Sequence, residues 1–89
     1  MFNKLKTTIM KKIIISVENS KYFIDYESRG YKVARNLWLI DSVSGWILYN
    51  EKTKKELRGM YKYIEETLVN GYIVSVKINN LDEIKAEVA

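Results

Sequence analysis

Four acidic side chains, Glu18, Asp25, Glu27 and Asp41, are the residues of this chain best suited to chemistry, because facing carboxylates can share acid and base roles or hold a hard metal ion. Three of them have simpler roles. Glu18 and Glu27 gain the lysine neighbours Lys21 and Lys12 in the strand register derived below, and Asp41 opens a turn, which leaves Asp25 alone. Ser42 and Ser44 have no base in the pattern. The 89 residues contain no His and no Cys, which excludes imidazole and thiolate metal sites, disulfides, Cys nucleophiles and any Ser/His/Asp relay. The expectation is a protein that is not an enzyme and carries no metal or cofactor.

Binding chemistry is better represented. Lys52, Lys54, Lys55, Arg58 and Lys62 crowd one stretch, with Glu65 and Glu66 after them. On a helix, advancing about 100° per residue, Lys55, Arg58 and Lys62 lie within about 60° of one another and form a basic ridge at the positive end of the helix dipole. Such a ridge suits carboxylate or phosphate. Gly59 lies inside it, with Lys55, Lys62 and Tyr63 around it, so a partner can approach bare backbone there. The competing reading is a solvated face held by the pairs Glu51 with Lys55, Lys52 with Glu56 and Lys62 with Glu66.

A second candidate set is aromatic. Tyr22, Tyr26, Tyr31, Trp38, Trp46 and Tyr49 are interleaved with Lys21, Lys32 and Arg35, the composition with which single-stranded nucleic acid is bound by stacking and charge. A small core needs the same rings for buried area. Twelve Lys against three Arg argue against reading of base edges, and no phosphate loop, RNP motif or helix-turn-helix spacing is present.

These residues need elements to position them. Lys12 to Glu27 fits a hairpin turning at Asn19 and Ser20, with Val17 beside Tyr22, Ile15 beside Ile24 and Ile13 beside Tyr26. A second tight turn at Arg29 and Gly30 continues the meander, and Arg35 interrupts the third strand, marking either a bulge nearby or a role for Arg35 itself. Ser42 to Gly45 reads as a turn and Trp46 to Tyr49 as the returning strand. From 51 to 69 the period becomes helical, with Leu57, Met60, Tyr61, Ile64 and Leu68 on one stripe and Asn70-Gly71 as a left-handed stop. Tyr72, Val74, Val76 and Ile78 alternate as a last strand, and Leu81, Ile84 and Val88 suggest a short terminal helix.

The fold class expected is therefore α+β: a two-layer domain with a mostly antiparallel four- to five-stranded sheet, in the order β-β-β-β-α-β, one long helix on one face and a short C-terminal helix. Residues 1–89 read as a single domain, with residues 1–11 as a flexible basic arm in which Phe2, Leu5 and Ile9 also keep helical spacing. Met10 before two lysines is also readable as an internal start.

The net charge of +4 is concentrated early, at Lys4, Lys6, Lys11 and Lys12. Ser16 and Glu18 interrupt the apolar run after Lys12 too soon for a secretion signal, and no segment reaches the length of a membrane span. A cytoplasmic protein with no membrane partner is expected. Abundant Lys, Ile, Asn and Tyr suggest AT-rich coding, as in a phage or mobile element.

The functional expectation is a small binding protein that regulates or inhibits a larger protein target. Lys55, Arg58, Gly59, Lys62 and Tyr63 are its contact residues, with Arg35, Trp38 and Trp46 as a second set. The alternative is a nucleic-acid-binding protein using the same ridge with the basic arm. A homodimer joined through a sheet face or an edge strand is the third reading.

Overall fold

The computed structural model describes residues 12–13 and 17–89. Its strands are β1 (Lys12–Ile13), β2 (Ser20–Phe23), β3 (Ser28–Ala34), β4 (Leu37–Ser42), β5 (Gly45–Asn50), β6 (Glu56–Leu57), β7 (Ile64–Val69) and β8 (Tyr72–Ile78), followed by a short helix α1 (Leu81–Ile84) that tightens into a 3-10 turn over Lys85–Val88. They form a five-stranded sheet in the order β2-β3-β4-β5-β6 and a three-stranded sheet in the order β1-β8-β7.

The hairpin β4–β5 is the centre of the molecule. Its register runs from Leu37 opposite Asn50 to Ser42 opposite Gly45, turning at Val43 and Ser44 as the sequence predicts. Large apolar residues occupy both faces, and both are covered. On one face Leu37, Leu39 and Leu48 pack with Met60, Ile84 and Val88, with Ile64, Val76 and Ile78 of the small sheet closing over them. On the other, Trp38, Ile40, Ile47 and Tyr49 pack beneath Phe23 and Tyr26. Burying six such side chains almost completely, Leu39, Ile40, Ile47, Leu48, Met60 and Val88, contributes about 1.5–3 kcal/mol each before conformational entropy is set against it.

The helix expected over 51–69 does not form, and with it the α+β description falls: the protein is mostly sheet, and no long helix packs on it among the described residues. Its start is used up by a turn. The Asn50 side-chain carbonyl accepts the backbone N–H of Lys52 at 2.8 Å and of Thr53 at 3.0 Å, and Lys54 takes a φ of 67°. Asn side chains favour turns over helix interiors for this reason. Gly59 then takes a φ of 71°, a left-handed conformation that no helix interior contains. Met60–Lys62 is a single 3-10 turn, and the β-branched Ile64, Thr67 and Val69 continue as β7.

Asn70 and Gly71 do adopt positive φ, of 54° and 83°, but as the two-residue turn of the β7–β8 hairpin and not as a helix stop. Asn-Gly is the strongest short signal for that turn. Tyr61 and Leu68, assigned to a buried stripe by the helical spacing, are 81% and 42% exposed.

The N-terminal meander is also rearranged. Val17–Asn19 is a 3-10 turn, and β2 pairs with β3, Ser20 opposite Tyr31 through Phe23 opposite Ser28. The hairpin turns at Ile24–Tyr26, closed by Glu27 at a φ of 48° whose N–H donates to Ile24 at 3.1 Å. Arg29 and Gly30 are therefore strand residues. A Cβ on Gly30 would lie 2.6 Å from Cε2 of Phe23, so the missing side chain is what makes room for that ring over the strand.

The irregularity signalled by Arg35 is a one-residue slip between Lys32 and Ala34, just before the turn at Arg35 and Asn36. Lys12–Ile13 runs parallel to Tyr72–Ile73 instead of opening a hairpin. Lys21 pairs with Glu51, not with Glu18. The arm over residues 1–11, the internal start at Met10 and the strand positions Ile14 and Ile15 lie outside the described residues. The last strand and the terminal helix occur where the sequence predicts them, with Ile84 and Val88 buried. Among the described residues no helix is long and apolar enough to cross a membrane.

Candidate functional site

Four of the sequence-selected residues meet in one groove. β6 pairs with β5 through Leu57 opposite Leu48, which brings Arg58 to the end of the sheet. Gly59 reverses the chain, and the 3-10 turn presents Tyr61 and Lys62 before Tyr63 leads into β7. Arg58, Gly59, Lys62 and Tyr63 line a depression of about 480 Å³ whose other wall is the C-terminal helical segment, with Glu83, Ile84 and Glu87. Nothing lies within 4 Å of where a Gly59 side chain would begin, so backbone is open to a partner there.

The cations of the groove are already committed to neighbours. Arg58 Nε donates to Glu56 Oε1 at 2.7 Å, and its guanidinium reaches Ser44 Oγ at 3.2 Å. The Lys62 ammonium lies 5.5 Å from the centroid of the Tyr63 ring. Pairs this exposed are worth at most about 1 kcal/mol, so they orient the side chains without removing them from use. Facing them, Glu83 and Glu87 are exposed, and Tyr61 stands on the rim. The groove thus offers both signs of charge around two tyrosine rings and one length of bare backbone.

The remaining candidates are elsewhere. Lys55 is exposed in the loop before β6, where its carbonyl accepts the Asn50 N–H at 3.0 Å, and it does not line the groove. Arg35 sits on the turn after β3, beside Asp82 and Lys85. Trp46 is half-buried, with Nε1 donating to Glu66 Oε2 at 3.0 Å. Trp38 is 9% exposed and packed edge-on against Phe23 at 5.4 Å, with Nε1 donating to Glu51 Oε1 at 3.2 Å. That ring is core and offers a partner no face.

Two carboxylates brace this aromatic face. Glu51 takes the Trp38 N–H and an ion pair from Lys21, and Glu56 takes the Tyr26 hydroxyl and Arg58. The hydrogen bond from Lys21 holds the Glu51 carboxyl below its usual range, and the one from Tyr26 does the same for Glu56. Burial, followed by Glu56, pushes the Tyr26 phenol up to about 12. Asp41 is displaced the other way from the two glutamates: burial raises it, with the Glu66 charge adding to the effect.

Sequence reasoning missed Tyr61, Glu83 and Glu87. The two glutamates are legible, since positions 83 and 87 share a face of a terminal helix. Tyr61 is not, because helical spacing assigns it inward. Among the described residues no group of His, Cys, Asp and Glu could hold a metal ion.

The charge balance bears on the kind of ligand. Of fifteen Lys and Arg, three precede β1, which leaves twelve against eleven Asp and Glu. The body that carries the groove is thus close to neutral, and in the groove Arg58 and Lys62 are set against Glu83 and Glu87. The chain matches no protein-family model, no curated protein and no solved structure.

Proposed function

We propose that this protein is a non-catalytic binding protein that docks on a larger protein and regulates or inhibits it, using the groove between the Arg58–Tyr63 turn and the C-terminal helical segment. The observation that carries this reading is the mixed lining of that groove. Two cations, two carboxylates, two tyrosines and a bare glycine complement a polypeptide surface, which presents charges of both signs, apolar area and backbone hydrogen-bonding groups. A nucleic-acid backbone is a repeating anion, and Glu83 and Glu87 repel it.

The test is capture of partners from cell lysate by the full chain, with and without nuclease, alongside the variant R58E/K62E/Y61A. A protein retained after nuclease and lost with the triple variant is expected. Capture abolished by nuclease, or unchanged in the variant, overturns the proposal.

A further inference from the structure

β6 closes one end of the larger sheet, and its last residue, Leu57, lines the groove described above together with the Arg58 and Gly59 that follow. The Asn50 N–H bonds to the Lys55 carbonyl at 3.0 Å, and Leu48 lies opposite Leu57. In an antiparallel pair, residues that bond across the strands alternate with residues whose N–H and C=O point away. Asn50 with Lys55 and Leu48 with Leu57 hold the bonded positions, so the N–H and C=O of Glu56 face outward. The same alternation turns those of Arg58 outward as the chain leaves the strand. Apart from the β5 ladder, no backbone hydrogen bond reaches Glu56, Arg58 or Gly59 among the described residues.

The two walls of the groove differ in sign. Arg58 and Lys62 stand on the side of the strand and the turn, Glu83 and Glu87 on the side of the C-terminal helical segment, and all four are exposed. Leu57 packs against the core that holds Ile84 and Val88, so its face of the strand is the one toward the helical segment. Arg58 belongs to the opposite face, where it meets Glu56 and Ser44.

The geometry points to an extended segment of the partner protein as the occupant of this groove, added as a strand beside β6, with a basic side chain against Glu83 and Glu87 and, next to it in sequence, an acidic one against Arg58. This rests on the docking function proposed above and names what the groove takes. Neighbouring residues of an added strand point to opposite faces, so a basic residue level with Leu57 and an acidic residue level with Arg58 each meet the opposite charge. The outward N–H and C=O groups supply affinity, and the two charges fix register. A docked helix has no free backbone groups to offer that edge, and a polyanion meets Glu83 and Glu87. The open edge is short, so a single peptide binds weakly and multivalent display is the way to find it.

The full chain is used to select from a displayed library of short random peptides, and the binders are synthesised with acetylated and amidated ends. They are expected to carry an acidic residue directly beside a basic one, to slow hydrogen exchange at the Arg58 amide, and to lose about tenfold in affinity on N-methylation at alternate residues only. On the variant E83K/E87K the same selection is expected to exchange the basic residue for an acidic one. Binders with charges at helical spacing, a selection unchanged on E83K/E87K, an unprotected Arg58 amide, or no binders at all overturn the proposal. Should any of these accompany lysate capture that depends on Arg58, Lys62 and Tyr61, the docking function stands and only the extended segment is refuted. Peptide selection as expected, with no protein captured from lysate, refutes the docking function alone.

Discussion

Trp46 on β5 donates its indole N–H to Glu66 on β7 at 3.0 Å, and the two side chains belong to different sheets. It is a polar tie at the margin of a contact where Ile64, Val76 and Ile78 close over Leu39 and Leu48. Trp46→Phe keeps much of the packing and removes the donor. A loss of about 1–2 kcal/mol in urea unfolding is expected, with the slope unchanged.

Gly59→Ala separates this fold from the helical alternative by sign. With φ at 71°, alanine is strained, and a loss of about 1 kcal/mol is expected although no atom lies within 4 Å of the new methyl. Were residues 51–69 a helix, the same change would stabilise by about as much. The midpoint of thermal or urea unfolding decides between them.

That glycine also shows why helical spacing misleads in this segment. Leu57, Met60, Tyr61, Ile64 and Leu68 satisfy helical spacing, yet only Met60 among them is buried, and alternation at Ile64, Glu65, Glu66 and Thr67 fits a strand as well. Local conformation decided the outcome: Asn50, Gly59 and the Asn70-Gly71 turn each favour a backbone that a helix lacks. The turn of the β4–β5 hairpin is legible from Ser42 to Gly45, but its register is not, because apolar residues on both faces leave it poorly specified. The β2–β3 hairpin was not, because its register depends on Phe23 lying over Gly30, a contact between strands that local pattern does not encode. Of the expected contact residues, Arg58, Gly59, Lys62 and Tyr63 line one groove, but the helical ridge from which they were drawn does not form.

Gly30→Ala tests that contact. The new Cβ would approach Phe23 at 2.6 and 2.9 Å and Ile40 Cγ1 at 3.2 Å, so the ring must shift. A loss of about 1–3 kcal/mol is expected, together with a red shift of tryptophan emission as Trp38 loses its edge-on neighbour.

Acid stability should divide by residue. Glu51 and Glu56 have folded pKa values below their ordinary 4.5, so their contribution is present above that pH and is lost as pH falls through the folded values. Glu51→Gln is therefore expected to lower stability at pH 7 and to converge with the parent chain in acid.

Asp41 has the opposite sign. Its folded pKa is raised above 3.8, so the stability linked to its proton is present below that value and is lost as pH rises through the folded one. Asp41→Asn is expected to raise the unfolding midpoint at pH 7 and to leave it unchanged at strongly acidic pH. Denaturant titrations at the two pH values measure both variants.

The parallel alignment of Lys12–Ile13 with Tyr72–Ile73 joins nearly opposite ends of the chain. During synthesis, β2 through β5 can zip up as successive neighbours while the ribosome still holds the remainder, but β1 must wait for the last strand to emerge. Completion of the small sheet is thus deferred until β8 is free, whereas the larger sheet, whose strands β2 to β6 pair as successive neighbours, needs no such wait.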